Sequence, residues 1–181
     1  MPQYPRHPNS LVQLLREAQE QHGWLPRPLL ADLASELGHT LAHVEGVASF
    51  YRFFHLQPVG RWRVLFSDNI TDRLLGSEAL MADLCQRLRV KPGEMRADGR
   101  VSVAATSCTG LCDQGPALLI NHHHVITRLD AQRVARIAEL IEADTPAASW
   151  PAEWFRIDDN VRRADVLLGQ PLAAGEALAA A

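Results

Sequence analysis

The amino-acid sequence predicts an α+β protein with three parts: a helical bundle over residues 1–57, a β-α-β-β-α domain over 58–143, and an extended C-terminal arm over 144–181. Three observations predict this fold class. Apolar residues recur at helical spacing in the first part, and short alternating or continuous apolar runs follow residue 58. Beyond residue 144, aromatic side chains stand among few other apolar residues.

The bundle is predicted to contain three helices. The first begins after Asn9 or Ser10 and ends at Gly23, and the second spans about 28–37. The third begins after Thr40, whose hydroxyl can cap its first turn. Each segment presents one apolar face, which predicts that the three helices pack together around a small core of their own.

The second part begins with a strand over 61–66 and a polar loop over 67–72. A helix follows, ending before Pro92, with Cys85 on its inner side. We expect one broad apolar face on this helix, formed by Leu74, Leu75, Leu80, Met81, Leu84 and Leu88.

Residues 101–105 predict the next strand, and a cysteine-containing loop over 106–116 follows it. Two further strands, 117–120 and 125–127, precede a last helix capped by Asp130. Because a helix connects the first two strands, we expect them to be parallel, whereas the short connection between the last two predicts a hairpin.

Composition excludes several functional classes. The chain has 181 residues with 18 basic and 21 acidic side chains, a net charge of -3, so it offers no basic field for nucleic acid. No apolar run is long enough to span a bilayer, and residues 1–8 lack the core of a signal peptide, so we expect a cytoplasmic protein. Three cysteines argue against a disulfide framework.

The strongest local signal for chemistry is the Cys-x-x-x-Cys pair of Cys108 and Cys112 in a loop with Gly110. Two thiolates at this spacing can converge on one metal or cluster iron, but two do not complete a tetrahedral site or a [2Fe–2S] cluster. A thioredoxin-type redox catalyst is disfavoured, because it needs Cys-x-x-Cys at a helix N-terminus. A zinc site that also uses residues 122–124, three histidines at the predicted hairpin tip, remains an alternative, although such a tip is usually solvated.

No nucleophile triad, Walker loop or Gly-x-Gly-x-x-Gly fingerprint occurs, so we expect no autonomous active site. In the arm, Trp150, Trp154 and Phe155 need a surface to cover, either this domain's own or a partner's. We assign these three aromatic residues to partner docking.

Three segments, taken together and in this order, resemble a known family: 11–23, 47–54 and 107–117. The chain from Ser10 to Ile141 resembles the small thioredoxin-like iron–sulfur subunit of respiratory complex I. NAD-reducing [NiFe] hydrogenases and NAD-dependent formate dehydrogenases contain relatives of that subunit. The resemblance implies a thioredoxin-like fold for the β-α-β-β-α domain.

The resemblance also implies a ligand set for a [2Fe–2S] cluster, with a Cys-x-x-x-x-Cys pair on the first loop and Cys108 and Cys112 on the second. The first pair falls on Ser67 and Asp72, which are oxygen donors less suited to cluster iron. We therefore expect a domain that keeps the fold without the cluster and binds no cofactor of its own. A cluster held by Ser67, Asp72 and the two cysteines is the alternative, and a redox- or zinc-dependent interaction module is another.

The chain is most similar to the thioredoxin-like domain that begins the FMN- and NAD-binding flavoprotein of such complexes. Residues 157–163 are similar to the segment that joins this domain to the flavin domain, and 175–178 to the start of the helix that follows. The resemblance implies an accessory, structural subunit or domain of an NAD(H)-linked oxidoreductase. Its partners would be the flavoprotein, which holds FMN and NAD, and the other iron–sulfur subunits.

Overall fold

The structure, a computed structural model, describes residues 4–158. Its N-terminal part consists of α1 (Leu11–His22), α2 (Arg27–Leu37) and α3 (Leu41–Phe50), as predicted. The Thr40 hydroxyl accepts a hydrogen bond from the backbone N–H of His43 at the start of α3, which confirms the predicted cap. The three helices share an apolar core formed mainly by Leu11, Leu14, Leu15, Leu25, Leu30, Leu33, Leu37, Val44 and Phe54.

The second part is built on a four-stranded sheet in the order β2-β1-β3-β4. Its strands are β1 (Trp62–Ser67), β2 (Val101–Thr106), β3 (Leu118–Ile120) and β4 (His124–Ile126). Strands β1 and β2 are parallel, and β3 is antiparallel to both β1 and β4. The predicted parallel pair and the predicted hairpin are both confirmed, and the topology is that of the thioredoxin-like fold.

Helices α5 (Ser77–Leu88) and α6 (Ala131–Glu142) cover one face of the sheet, and Asp130 caps α6 as predicted. The core between them contains the inward residues of the strands and both helices, including Val64, Phe66, Leu84, Cys85, Val103, Ile120, Val134, Ile137 and Ile141. Cys85 is thus a core residue, as expected.

The end of the bundle lies over the opposite face of the sheet. The backbone N–H of Leu25 donates to the carbonyl of His55, which ties the bundle to the segment that leads into β1. The backbone at Gly60 lies very close to the backbone at Val101, so that an added Cβ at Gly60 would be 2.3 Å from the carbonyl carbon of Val101. Only glycine permits this approach.

The segment between β1 and α5 differs from the prediction. A short helix, α4 (Ile70–Leu74), begins inside the expected loop, and Gly76 at φ 90° separates it from α5. Leu74 and Leu75 are 81% and 52% exposed, so the single broad apolar face predicted from residue 74 onwards is wrong. Glycine at a left-handed φ ends one helix and starts the next, which turns these leucines away from the core.

The described part of the arm, residues 144–158, packs on its own domain, which is one of the two surfaces that the sequence left open. Trp150 stacks on Trp62 with ring centroids 5.5 Å apart, and its indole N–H donates to the carbonyl of Thr145. Trp150 and Trp154 are only 3% and 8% exposed, and Phe155 is half-buried beside the His124 ring. The rings of Trp150 and Trp154 are thus covered by this chain itself, and the docking role expected for the three aromatic residues stays a prediction.

None of the helices within residues 4–158 has the length and apolar character needed to cross a membrane. The segments likened to a flavoprotein linker and its following helix, 157–163 and 175–178, lie outside the described residues, apart from Ile157 and Asp158.

Candidate functional site

The candidate site lies where the two parallel strands end at the same edge of the sheet. Ser67 closes β1 and pairs in register with Thr106, the last residue of β2. The loops that follow these strands bring Ser67 and Asp72 to one side of Cys108 and Cys112. The four residues assigned to the site from the sequence are thus neighbours in the structure.

The two thiols are in direct contact. Their sulfur atoms lie 3.1 Å apart, and the backbone N–H of Gly110 donates to Cys108 Sγ at 3.3 Å. Cys108 is exposed and Cys112 is half-buried. The hydrogen bond with Cys108, followed by partial desolvation and the nearby charges of Cys108 and Asp72, raises the pKa of Cys112.

Asn69 connects three of the four predicted site residues, a role that was not predicted from the sequence. Its amide nitrogen donates to Ser67 Oγ at 3.0 Å, to Asp72 Oδ2, and to Cys108 Sγ at 3.7 Å. Its amide oxygen accepts the backbone N–H groups of Thr71 and Asp72, which caps α4. An asparagine directly before an apolar residue, here Ile70, is a helix-start signal, so the cap could have been recognised from the sequence. The contacts of the amide nitrogen were not.

Asp72 is completely buried, and both oxygens of its carboxylate have hydrogen-bond donors. Oδ2 accepts from Asn69, and Oδ1 accepts the backbone N–H of Ala117 at 3.1 Å. A Cβ at Gly115 would lie 2.3 Å from Asp72 Oδ1, so the backbone there closes over the carboxylate. Asp72 therefore joins the loop after β1 to the start of β3.

This arrangement does not fit a [2Fe–2S] cluster. The oxygens of Asp72 are engaged inside the protein, and the Asn69 amide lies among Ser67, Asp72 and Cys108, where a metal atom would have to bind.

The structure does not assemble the zinc site considered above. Its hairpin histidines have other neighbours: His122 Nε2 lies 2.8 Å from His55 Nε2, and the His124 ring packs on Phe155. His122 and His124 are half-buried, so the expectation of a fully solvated hairpin tip is wrong for them. Over residues 4–158, no three His, Cys, Asp or Glu side chains are grouped so as to hold a metal ion.

Comparison with known proteins identifies relatives of two kinds. The first kind consists of subunits of NADH-quinone oxidoreductase. One from Rhizobium meliloti (strain 1021) is 34% identical over 155 residues, which cover 83% of this chain and 92% of the relative. Another, from Escherichia coli (strain K12), is 36% identical over 117 residues, covering 63% of this chain and 70% of the relative.

Solved structures give the second kind of relative. Crystal structures of NAD+-reducing [NiFe]-hydrogenase match with 36% identity and a TM-score of 0.72 in the air-oxidized state, and with 35% and 0.73 in the H2-reduced state. The matches cover 83% and 86% of this chain but only 26% of the hydrogenase chain, so this chain spans about a quarter of that relative.

A family model described as thioredoxin-like [2Fe-2S] ferredoxin matches residues 1–142, which include the bundle, the sheet and the paired thiols. The match covers most of the chain, and the sheet order agrees with the fold that this description names. The chain therefore belongs to the thioredoxin-like [2Fe-2S] ferredoxin family.

Proposed function

We propose that this chain is an accessory, cluster-free subunit or domain of a cytoplasmic NAD(H)-linked oxidoreductase of the hydrogenase-diaphorase or formate-dehydrogenase type. It docks on the flavoprotein that holds FMN and NAD, and catalysis belongs to that partner. The relatives named above, subunits of NADH-quinone oxidoreductase and a chain of NAD+-reducing hydrogenase, support the assignment to such a complex.

One observation carries the cluster-free part of the proposal: the side chain of Asn69 occupies the space among Ser67, Asp72 and Cys108. Ser67 and Asp72 are 1% and 0% exposed, and their oxygen atoms accept hydrogen bonds from within the protein. Electron transfer through this domain would need a cluster. We therefore assign a structural role to this domain. The hydrogen bonds of Asn69 with Ser67 and Asp72 stand where the family has two of its four cluster ligands.

Helix α4 is the docking surface that we assign to the flavoprotein. Ile70, Leu74 and Leu75 are 71%, 81% and 52% exposed, an unusual density of large apolar side chains on so short a segment. They follow Asn69 in the chain, and the Asn69 amide contacts Cys108 Sγ. With the arm's tryptophans buried in their own domain, this is the exposed apolar surface next to the family's cluster site.

The iron content of the purified chain tests the cluster-free state. Protein isolated without oxygen and then incubated with iron and sulfide should remain colourless and free of acid-labile sulfide. The positive control is the double variant Ser67→Cys/Asp72→Cys, which restores four thiolates and should take up more iron than the natural chain. The negative control is Cys108→Ser/Cys112→Ser. About two irons per chain in the natural protein would support the rival function, electron transfer through a mixed-ligand [2Fe–2S] cluster.

Co-purification tests the docking surface. A tagged chain should retain a flavin-containing partner, recognised by its FMN absorbance, and Leu74→Glu should release that partner. Phe50→Glu is the matched control, because Phe50 is 77% exposed but lies on the bundle. Retention of the flavoprotein by Leu74→Glu, or its equal loss from both variants, would contradict docking through α4.

A second candidate function is a redox-regulated interaction module, and the contact between Cys108 Sγ and Cys112 Sγ favours it. Exchange with a small disulfide would join the two sulfurs and release the reagent as two thiols, so electrons and protons balance. The partner's affinity should then differ between reduced and oxidised protein. Equal affinity in both states would exclude this function.

A further inference from the structure

A cavity of about 570 Å³ lies between α1 and the sheet, on the sheet face opposite α5 and α6. Arg16 and Glu20 of α1 line one side, Arg63 of β1 and Leu119 of β3 form its floor, and Phe53 and His122 close it. Cavities of this size accommodate small organic molecules. It is separate from the thiol loop, and the proposed function makes no use of it.

Arg63 is the central charge of this cavity and has no acidic partner within the described part of the chain. Its Nε atom is buried without a hydrogen-bond acceptor, and no ion pair to its guanidinium occurs among residues 4–158. Burial lowers the pKa of Arg63, with no carboxylate nearby to oppose the effect. A half-buried cation without a counter-charge is costly, so a bound anion would be strongly favoured there.

A second unpartnered polar atom lies beside Arg63. His122 Nδ1 is buried without a hydrogen-bond partner, while Nε2 of the same ring contacts His55 Nε2. If His55 donates to His122, the neutral His122 ring carries its remaining proton on Nδ1, as a hydrogen-bond donor. Arg63 and His122 thus both line this cavity, and each has a buried nitrogen atom without a hydrogen-bond partner.

The other charges around the cavity also favour an anion. Glu20 is the one acidic side chain that lines it among the described residues, and this carboxylate already pairs with Arg16 at 3.2 Å. Glu20 forms no ion pair with Arg63, His122 or His123, the other basic residues of this lining. Phe53 and Leu119 add apolar surface next to these donors, which suits a ligand with a charged head and an apolar body.

We propose that this cavity is a binding site for a small organic anion, with a phosphate or carboxylate head against Arg63 and His122 and an apolar body against Phe53 and Leu119. Gln19 is a positioning residue: its amide donates to the carbonyl of Phe53 and accepts the backbone N–H of His55. These two bonds fix the backbone at Phe53 and His55, the segment that forms the wall of the cavity.

Calorimetric titration of the full chain tests the proposal with three probes: phenyl phosphate, benzoate and inorganic phosphate. Phenyl phosphate should bind more tightly than inorganic phosphate, because its ring reaches the apolar wall, and benzoate distinguishes a carboxylate from a phosphate head. Arg63→Gln should weaken binding of the best probe about tenfold or more. Arg136→Gln on α6 is the matched control, since it removes an exposed arginine elsewhere, and it should leave the affinity unchanged.

A second readout keeps the test decisive if Arg63→Gln does not fold. In the natural chain, a bound anion should shift the imidazole NMR signals of His122 and His123 and raise the pKa of His122. Saturable binding together with these shifts supports the site. The proposal is overturned if no probe binds at millimolar concentration, if Arg63→Gln binds as tightly as the natural chain, or if the histidine signals do not respond to a bound probe.

Discussion

Replacement of Asn69 by alanine should destabilise the protein by far more than an ordinary surface substitution. Loss of the helix cap on α4 costs about 0.5–2 kcal/mol. The buried acceptors Ser67 Oγ and Asp72 Oδ2 also lose their donor, and an unsatisfied buried polar group costs about 1–3 kcal/mol. Because the two losses share one side chain and are not additive, we expect a total of about 2–4 kcal/mol.

Urea denaturation of the natural chain and of Asn69→Ala at pH 7 measures this difference in the free energy of unfolding. Asn9→Ala is the matched control, because Asn9 is exposed and its side chain makes no hydrogen bond within residues 4–158, so its effect should stay within about 0.5 kcal/mol. A third variant, Asn69→Asp, keeps an oxygen for the cap but places a second carboxylate beside Asp72. It should be less stable than the natural chain, and partly recover as the pH falls and one carboxylate is protonated.

The same substitution links stability to the cluster question. If Asn69 occupies the space that iron would need, Asn69→Ala should increase the iron taken up by the Ser67→Cys/Asp72→Cys variant. An Asn69→Ala variant within about 0.5 kcal/mol of the natural chain would refute the network as the centre of this loop. Iron uptake by the four-cysteine chain that is unchanged by Asn69→Ala would refute the argument that its amide blocks the site.

Three further predictions rest on other parts of the structure. Trp154→Ala should lower the free energy of unfolding by about 3 kcal/mol in urea denaturation, because it removes a buried indole from the sheet core; no change would show that the arm is free. Burial lowers the pKa of His55 and of His122 from 6.5 to about 4, with the charge of Arg63 contributing to both. As the pH falls below about 6.5, these two histidines take up protons in the unfolded chain before they do so in the folded protein. The free energy of unfolding, measured by urea denaturation, should therefore decrease by roughly 1–2 kcal/mol between about pH 6.5 and pH 4, after allowance for solvent screening. A free energy of unfolding that does not change over this range would contradict the burial of the two rings. Burial raises the pKa of Cys85, so iodoacetamide followed by mass spectrometry should leave Cys85 unmodified in the native state, and equal labelling of all thiols would contradict its place in the core.

Local patterns in the sequence were sufficient to predict most of the fold. The three bundle helices, the Thr40 and Asp130 caps, the parallel first pair of strands and the final hairpin all follow from short-range patterns and from the crossover helix that a parallel pair requires. The pairing of β1 with β3 was not predicted. The segment after β1 could not be predicted in this way. Leu74 and Leu75 have the spacing of a buried face, but Gly76 turns the chain and leaves them exposed.

The arm shows a different limit of sequence analysis. An aromatic cluster in a weakly apolar tail indicates that some surface is covered, but which surface depends on a long-range contact. Here the partner is Trp62, whose ring faces Trp150 and whose indole N–H donates to Asp144 at 2.9 Å. No local pattern connects positions so far apart in the chain, and the sequence alone therefore left two surfaces open.

The candidate site combines both situations. Resemblance to a family predicted that four residues form one site: Ser67, Asp72, Cys108 and Cys112. The parallel strands β1 and β2 do bring these four residues together. What fills the space among them depends on the side chain of Asn69, which sequence analysis treated as part of a polar loop. Asn69 both caps α4 and donates hydrogen bonds to the buried oxygen atoms of Ser67 and Asp72. Under the proposed function, these two observations belong together: the inward oxygen side chains of Ser67 and Asp72 need a hydrogen-bond donor, and Asn69, which supplies it, lies where a cluster iron would bind.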